Sequence, residues 1–234
     1  MKKLFYLMCM FAGILIFSAC EKPGPEPEPT TPTDNVKPVI TFTSTSLDTV
    51  LRLDLGDSEK ALEDVTAMDD EDGDLTSSVK VTGNFDAVGK TQLKYTVSDK
   101  AGNVATVTRD AIITANKLAN TYTVEAVLQS DTASKESNSN MTVEIEQDTI
   151  LVLTRLHKLP YTDVIRAKFA GNSSFEIIKK DVNLSGGGYP DISGTLKYEA
   201  KSNDYKITSI FYKFTFTKIQ APDQEWDGVC TPQN

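Results

Sequence analysis

From Pro38 onward, hydrophobic and polar residues alternate in short runs and do not recur at the helical spacing of three to four. Val39-Ile40-Thr41-Phe42, residues 49–55, 65–67, 79–81, 91–98 and 104–114 are β-branched or alternating, with turn-forming residues at intervals of about 8 to 12. Within 91–98, Leu93, Tyr95 and Val97 fall on one face, the period of a half-buried strand. Residues 38–115 are therefore expected to form a β-sandwich. Ala115 to Asn120 is short and polar, and reads as a hinge. A second β series follows over 118–234. Tyr122, Val124, Ala126 and Leu128 share one face. Met141, Val143 and Ile145 share another, Leu196, Tyr198 and Ala200 a third, and Ile210, Tyr212, Phe214 and Phe216 a fourth. Ile150-Leu151-Val152-Leu153 is continuously apolar and is expected to be covered on both sides. Gln147-Asp148 and Asn203-Asp204 sit where hairpins should turn. The expectation is an all-β chain, with the N-terminal sandwich followed by an antiparallel meander or barrel-like domain.

The first 37 residues follow another pattern. Met1-Lys2-Lys3 precedes the apolar run Leu4 to Phe17 and then Ser18-Ala19-Cys20. That is the layout of a bacterial export signal over residues 1–19, too short for a spanning helix. The Phe-Ser-Ala-Cys ending resembles a lipobox, which implies cleavage before Cys20 and acylation of that cysteine. Residues 20–37 carry prolines at 23, 25, 27, 29 and 32. Proline fixes φ and removes donors, so residues 21–37 form an extended tether of roughly 50 Å, at about 3.1 Å per residue. Two or more acyl chains anchor a protein stably, so the chain is expected to sit on a membrane without crossing it.

Charge and cysteine usage narrow the partners. The formal charge is -9, and loss of residues 1–19 removes two lysines and no acid, giving -11. Such a surface repels nucleic acid and anionic lipid. Of the three cysteines, Cys9 leaves with the signal, Cys20 takes lipid and Cys230 has no partner. No disulfide framework is expected, and Cys230 reads as a small buried hydrophobe.

Within the sandwich, Asp69 to Asp74 holds five acids in six residues around the Asp72-Gly73 turn. Their repulsion must be relieved by water, bases or a cation. A second acidic loop runs Ser98-Asp99-Lys100-Ala101-Gly102-Asn103. Asp70, Asp72 and Asp74 have the spacing that opens an EF-hand, but Leu75 stands where the loop glycine belongs and Val81 where the twelfth ligand should be. An EF-hand is excluded. A cadherin-like calcium site drawing on Asp69, Asp72, Asp74 and Asp99 stays open beside a solvated acidic turn, and no other cofactor is expected.

The series Val65-Thr66-Ala67-Met68-Asp69-Asp70-Glu71-Asp72-Gly73-Asp74-Leu75-Thr76, with Val88-Gly89, Tyr95-Thr96-Val97-Ser98-Asp99 and Ala101-Gly102-Asn103, resembles the bacterial immunoglobulin-like surface domains of about eighty residues. Those domains occur in lipoproteins of Bacteroides-like bacteria. The resemblance implies an immunoglobulin-like fold for 38–115 and an outer-membrane lipoprotein with a cell-surface context. It implies no activity. The second half resembles, more loosely, the C-terminal β domains that follow such modules.

Catalytic chemistry is thin. His157 is the only histidine, so neither a metal triad nor a nucleophile relay can be built on it. Ser185 has Gly187 two residues on, but Asn183 replaces the first glycine of a nucleophile elbow. Glu144 and Glu146 lie one alternation apart on one strand, whereas a glycosidase pair usually comes from different elements. Gly186-Gly187-Gly188 lacks the following Lys-Ser/Thr of a phosphate loop. Tyr189 in that loop and Trp226 are the candidate aromatic platform for a sugar, against the alternative that Trp226 packs over the end of the barrel. The expected function is a non-catalytic surface lipoprotein that binds glycan or another extracellular ligand through the C-terminal domain. The alternative is an adhesion or assembly protein that binds protein partners.

Overall fold

The computed structural model describes residues 34–43, 50–156, 164–179, 191–201, 204–216 and 222–233. The sandwich begins with β1 (Val39–Phe42), β2 (Leu51–Asp54), β3 (Val65–Asp69), β4 (Gly73–Asp74) and β5 (Lys80–Thr82), and ends with the long hairpin β6 (Gly89–Ser98) and β7 (Val104–Thr114). One sheet runs β1-β3-β4 and the other β2-β7-β6-β5. All pairs are antiparallel except β2 with β7. Leu93, Tyr95 and Val97 of β6 point into the core, as the alternation requires. Between the sheets Phe42 meets Tyr95 edge to face at 5.0 Å, and the Arg109 guanidinium lies over Phe42 at 4.9 Å. Arg109 Nη1 also donates to both carboxylate oxygens of Asp64, at 2.8 and 2.9 Å.

The second half closes into a barrel. Its strands are β8 (Asn120–Leu128), β9 (Asp131–Glu146), β10 (Ile150–Thr154), β11 (Ile165–Gly171), β12 (Ser174–Lys179), β13 (Asp191–Lys201), β14 (Asp204–Thr215) and β15 (Gln224–Pro232). Each strand pairs antiparallel with its sequence neighbour, and β15 returns to β8. This is the meander foreseen from the alternation, with closure removing the sheet edges. The β9–β10 hairpin turns through three residues, Gln147 to Thr149, with Gln147 and Asp148 in the left-handed region at φ 51° and 65°. Ile150–Leu153 is corrected: Leu151 and Leu153 are buried, while Ile150 and Val152 are only half-buried, so the segment is covered from the lumen side alone.

The lumen is filled. Tyr122, Phe175, Tyr212 and Phe214 are all at most 1% exposed, and Tyr212 stacks on Trp226 at 6.4 Å with 9° between the planes. Tyr122 Oη donates to Leu118 O at 2.9 Å and accepts from Ile207 N at 3.3 Å, so its polar tip is satisfied inside. Burial pushes its phenol up to about 12. Cys230 is also buried, and loss of hydration raises its thiol to about 12. A thiol-specific maleimide at pH 8 should therefore leave Cys230 unmodified in the native chain and label it fully in 6 M guanidinium. Rapid native labelling, followed by mass spectrometry, would contradict this placement.

Asn35–Asn234 form one compact unit. The segment expected to be a hinge is instead pinned. It forms a short 3-10 turn, Asn116–Leu118, with Ala115 and Leu118 fully buried. Ala115 N donates to Asp148 O at 2.7 Å, and Arg52 Nε to Asp148 Oδ2 at 2.9 Å. From the barrel, Tyr198 Oη donates to Asp86 O at 3.0 Å and accepts from Val88 N at 3.1 Å. Lys117 Nζ sits 5.0 Å over the Tyr205 ring while donating to Leu55 O and Asp57 Oδ1. A polar sequence at the join therefore reflects a hydrogen-bonded interface and not a loose linker.

Candidate functional site

Two regions combine chemistry with accessibility. The first is the end of the sandwich where the β3–β4 and β6–β7 turns meet. Asp69 closes β3, and its Oδ1 accepts from the N–H groups of Glu71 (3.1 Å) and Asp72 (2.9 Å). This is the local bonding that makes Asp a turn initiator. Gly73 follows at φ 73°, where a Cβ would be strained. In the facing turn, Asp99 Oδ1 accepts from Asn103 N at 2.7 Å and its Oδ2 from Asn103 Nδ2 at 2.8 Å.

The folded chain sorts the four aspartates into two kinds. Asp69 and Asp99 are 7% and 8% exposed, and their carboxylate oxygens come within 4.8 Å of each other. Asp72 turns to Lys100, accepting from its backbone N–H at 2.7 Å and from its ammonium at 2.8 Å. The hydrogen bond from the Lys100 side chain, with that from its backbone, holds the Asp72 carboxyl below the usual range. Asp74 bonds Thr76, which lowers its carboxyl likewise, and Thr76 N reaches Asp74 Oδ1 at 2.8 Å. The sequence showed that the two loops could meet. It could not show which carboxylates would be spent on local turns.

The second region is on the barrel wall. A groove of about 600 Å³ crosses β8, β13, β14 and β15, lined among others by Val127, Lys197, Phe211, Asp227 and Val229. All these residues occupy outward positions of the alternation. Phe211 is half-buried, Val229 is 63% exposed, and charged Lys197 and Asp227 flank the apolar strip. A few polar groups beside an apolar wall is the usual composition of a small-ligand site. The sequence reading passed over these positions because it tracked the inward face. The signal was available in Phe211, which interrupts the outward set of β14 with an aromatic.

The remaining candidates are placed as follows. Of the two readings of Trp226, its 4% exposure and its stacking on Tyr212 favour the one in which the ring is part of the barrel packing. Tyr189, Ser185, the three glycines before Tyr189, His157 and Cys20 lie outside the described residues. Glu146 accepts from Arg166 Nε at 2.6 Å, and Glu144 is exposed two residues away on the same strand. Both therefore face one side of β9, without an opposed partner across a cleft. Among the described residues no helix is long and apolar enough to cross a membrane, which says nothing of strands.

Comparison with known proteins agrees with the sandwich. Residues 51–113 match the family described as bacterial surface protein, Ig-like domain. No curated protein matches the chain. Among solved structures, a lipoprotein from Bacteroides thetaiotaomicron aligns with 84% of this chain and 100% of its own length, at 15% identity and a TM-score of 0.31. The CBM51-2 and INT domains of Clostridium perfringens ZmpB, solved in complex with GlcNAc, align over 84% of this chain and 44% of theirs, at 14% identity and a TM-score of 0.27.

Proposed function

We propose that the chain is a non-catalytic, lipid-anchored protein of the bacterial outer membrane, in which the immunoglobulin-like sandwich is a rigid spacer and the barrel wall binds an extracellular glycan. The observation that carries the reading is the groove around Phe211, where a half-buried aromatic face stands beside the charged side chains of Lys197 and Asp227. The packed lumen supports it, because Tyr122, Phe175, Tyr212, Phe214 and Trp226 fill space that a ligand would need inside. The surface-domain match at 51–113 supports the compartment. Sugar rings present C–H faces that stack on an aromatic, while their hydroxyls bond carboxylates and ammonium groups such as those of Asp227 and Lys197. The anchor is Cys20, whose acyl chains contribute roughly 0.8 kcal/mol per buried CH₂.

One experiment tests both halves. Cys20→Ala in a bacterial host should move the protein from the membrane to the soluble fraction and abolish incorporation of labelled palmitate. Phe211→Ser in the otherwise intact chain should weaken binding on a glycan array about tenfold or more, without a change in circular dichroism. Retention of the Cys20→Ala protein in the membrane defeats the anchor, and a silent array for the wild-type chain defeats glycan binding. A second reading, binding of a surface protein, draws on Val39 and Met68, exposed at 64% and 54% and paired across β1 and β3. A protein partner captured by the wild-type chain and lost on Met68→Asp would decide for it.

A further inference from the structure

The buried pair Asp69 and Asp99 raises a charge problem that the protein's own groups leave open. Asp69 Oδ1 is held by two backbone N–H groups, but Oδ2 is buried and has no hydrogen-bond partner. A buried polar atom in that position costs on the order of 1–3 kcal/mol, and more when charged. Asp99 accepts from Asn103 on both oxygens, and each keeps a lone pair to spare. Among the described residues no basic side chain pairs with either carboxylate. Lys100, next in sequence to Asp99, is committed to Asp72 and 84% exposed.

We propose that Asp69 and Asp99 bind a calcium ion at the end of the sandwich, with Asp69 Oδ2 as a fixed ligand and Asp99 as the second. The charge balances, because two carboxylates meet one divalent cation. The span fits as well. Oxygens within 4.8 Å of each other can be bridged by two bonds of about 2.3–2.6 Å, the calcium range. The backbone donors on Asp69 Oδ1 and the Asn103 amide on Asp99 fix both carboxylates before the ion arrives, the role that outer-shell bonds play at metal sites. Waters and neighbouring oxygens complete the shell. With two carboxylates supplied by the sandwich, the affinity belongs at the extracellular end of the calcium range, about 10⁻⁴ to 10⁻³ M. Asp72 is not a ligand, because the Lys100 ammonium already meets its charge. Nor is Asp74, which accepts from Thr76 and lies outside the converging oxygens.

The site lies at the pole away from the barrel. β6 starts at Gly89, where an added Cβ would come 3.5 Å from Phe169 of the barrel, and ends ten residues later beside Asp99. That is about 30 Å of strand. An ion there ties the turn after β3 to the turn after β6 and so clamps the two sheets together.

The test is calcium titration of the full chain, purified in detergent and stripped with EGTA, followed by calorimetry and thermal unfolding. Calcium should bind with the affinity above, and 10 mM should raise Tm by several degrees, about 5 °C when the ion is in hundredfold excess over Kd. Asp69→Asn and Asp99→Asn should each weaken binding at least tenfold, while Asp70→Asn, whose carboxylate is outside the pair, should bind as the wild type does. Absence of heat and of a Tm shift at 10 mM calcium overturns the proposal. So does an unchanged calcium response in a folded Asp69→Asn chain. An equal or larger shift with magnesium overturns the choice of ion.

Discussion

Gly194→Ala should destabilise the chain by about 3 kcal/mol or more, a fall in Tm of roughly 10 °C. Gly194 faces the lumen on β13, opposite Tyr212 of β14. A Cβ built there lies inside van der Waals contact of the Phe211 carbonyl oxygen and 2.8 Å from Tyr212 Cα. Both obstacles are backbone, so no rotamer change relieves them, and the two strands would have to part along a ladder that runs from Asp191 to Lys201. Gly73→Ala provides the contrast. It has φ 73° but nothing within 4 Å of its Cβ, so only backbone strain of about 1 kcal/mol is expected. Thermal unfolding of the two variants separates the causes. Equal losses would show that the close approach at Gly194 is not what demands glycine.

Trp226→Ala should cost about 3–5 kcal/mol, the range for deleting a large aromatic from a packed interior. The indole is 4% exposed and stacks on Tyr212, so its removal opens a cavity that the closed wall cannot collapse to fill. Guanidinium denaturation measures the loss. Glycan binding by the fraction that remains folded should be unchanged, because Phe211 and its neighbours are on the other face of the wall. If Trp226→Ala instead kept full stability and abolished binding, the indole would be a ligand platform and the lumen assignment would fail.

The strand positions were legible wherever one face is buried. Val39–Phe42 and Val104–Thr114 appear as read, and the inward sets Leu93, Tyr95, Val97 and Tyr122, Val124, Ala126 are the observed core. Legibility ended where that asymmetry ended. The first ten residues of β9, Asp131 to Asn140, carry Ser, Asn, Lys and Glu with no apolar period, yet they are strand. They pair with β8, while the β9–β10 ladder covers only Thr142 to Glu146. With no core against them, their pattern held no trace of the strand. Ile150–Leu153 misled in the opposite direction, since apolar side chains also occupy the half-buried outer wall. Among the site residues, the acidic turns were conspicuous, but burial alone separated Asp69 and Asp99 from Asp72 and Asp74. Trp226 stayed open between a platform and barrel packing because one aromatic in a polar neighbourhood looks the same whether it faces in or out, and the parity of β15 decides which.

The bonds from Tyr198 to Asp86 and Val88, with the buried turn at Asn116–Leu118, lock the join between sandwich and barrel. A lever without a joint keeps its two ends at constant stand-off. A load applied at the Phe211 face would pass into the far turns of the sandwich without slack.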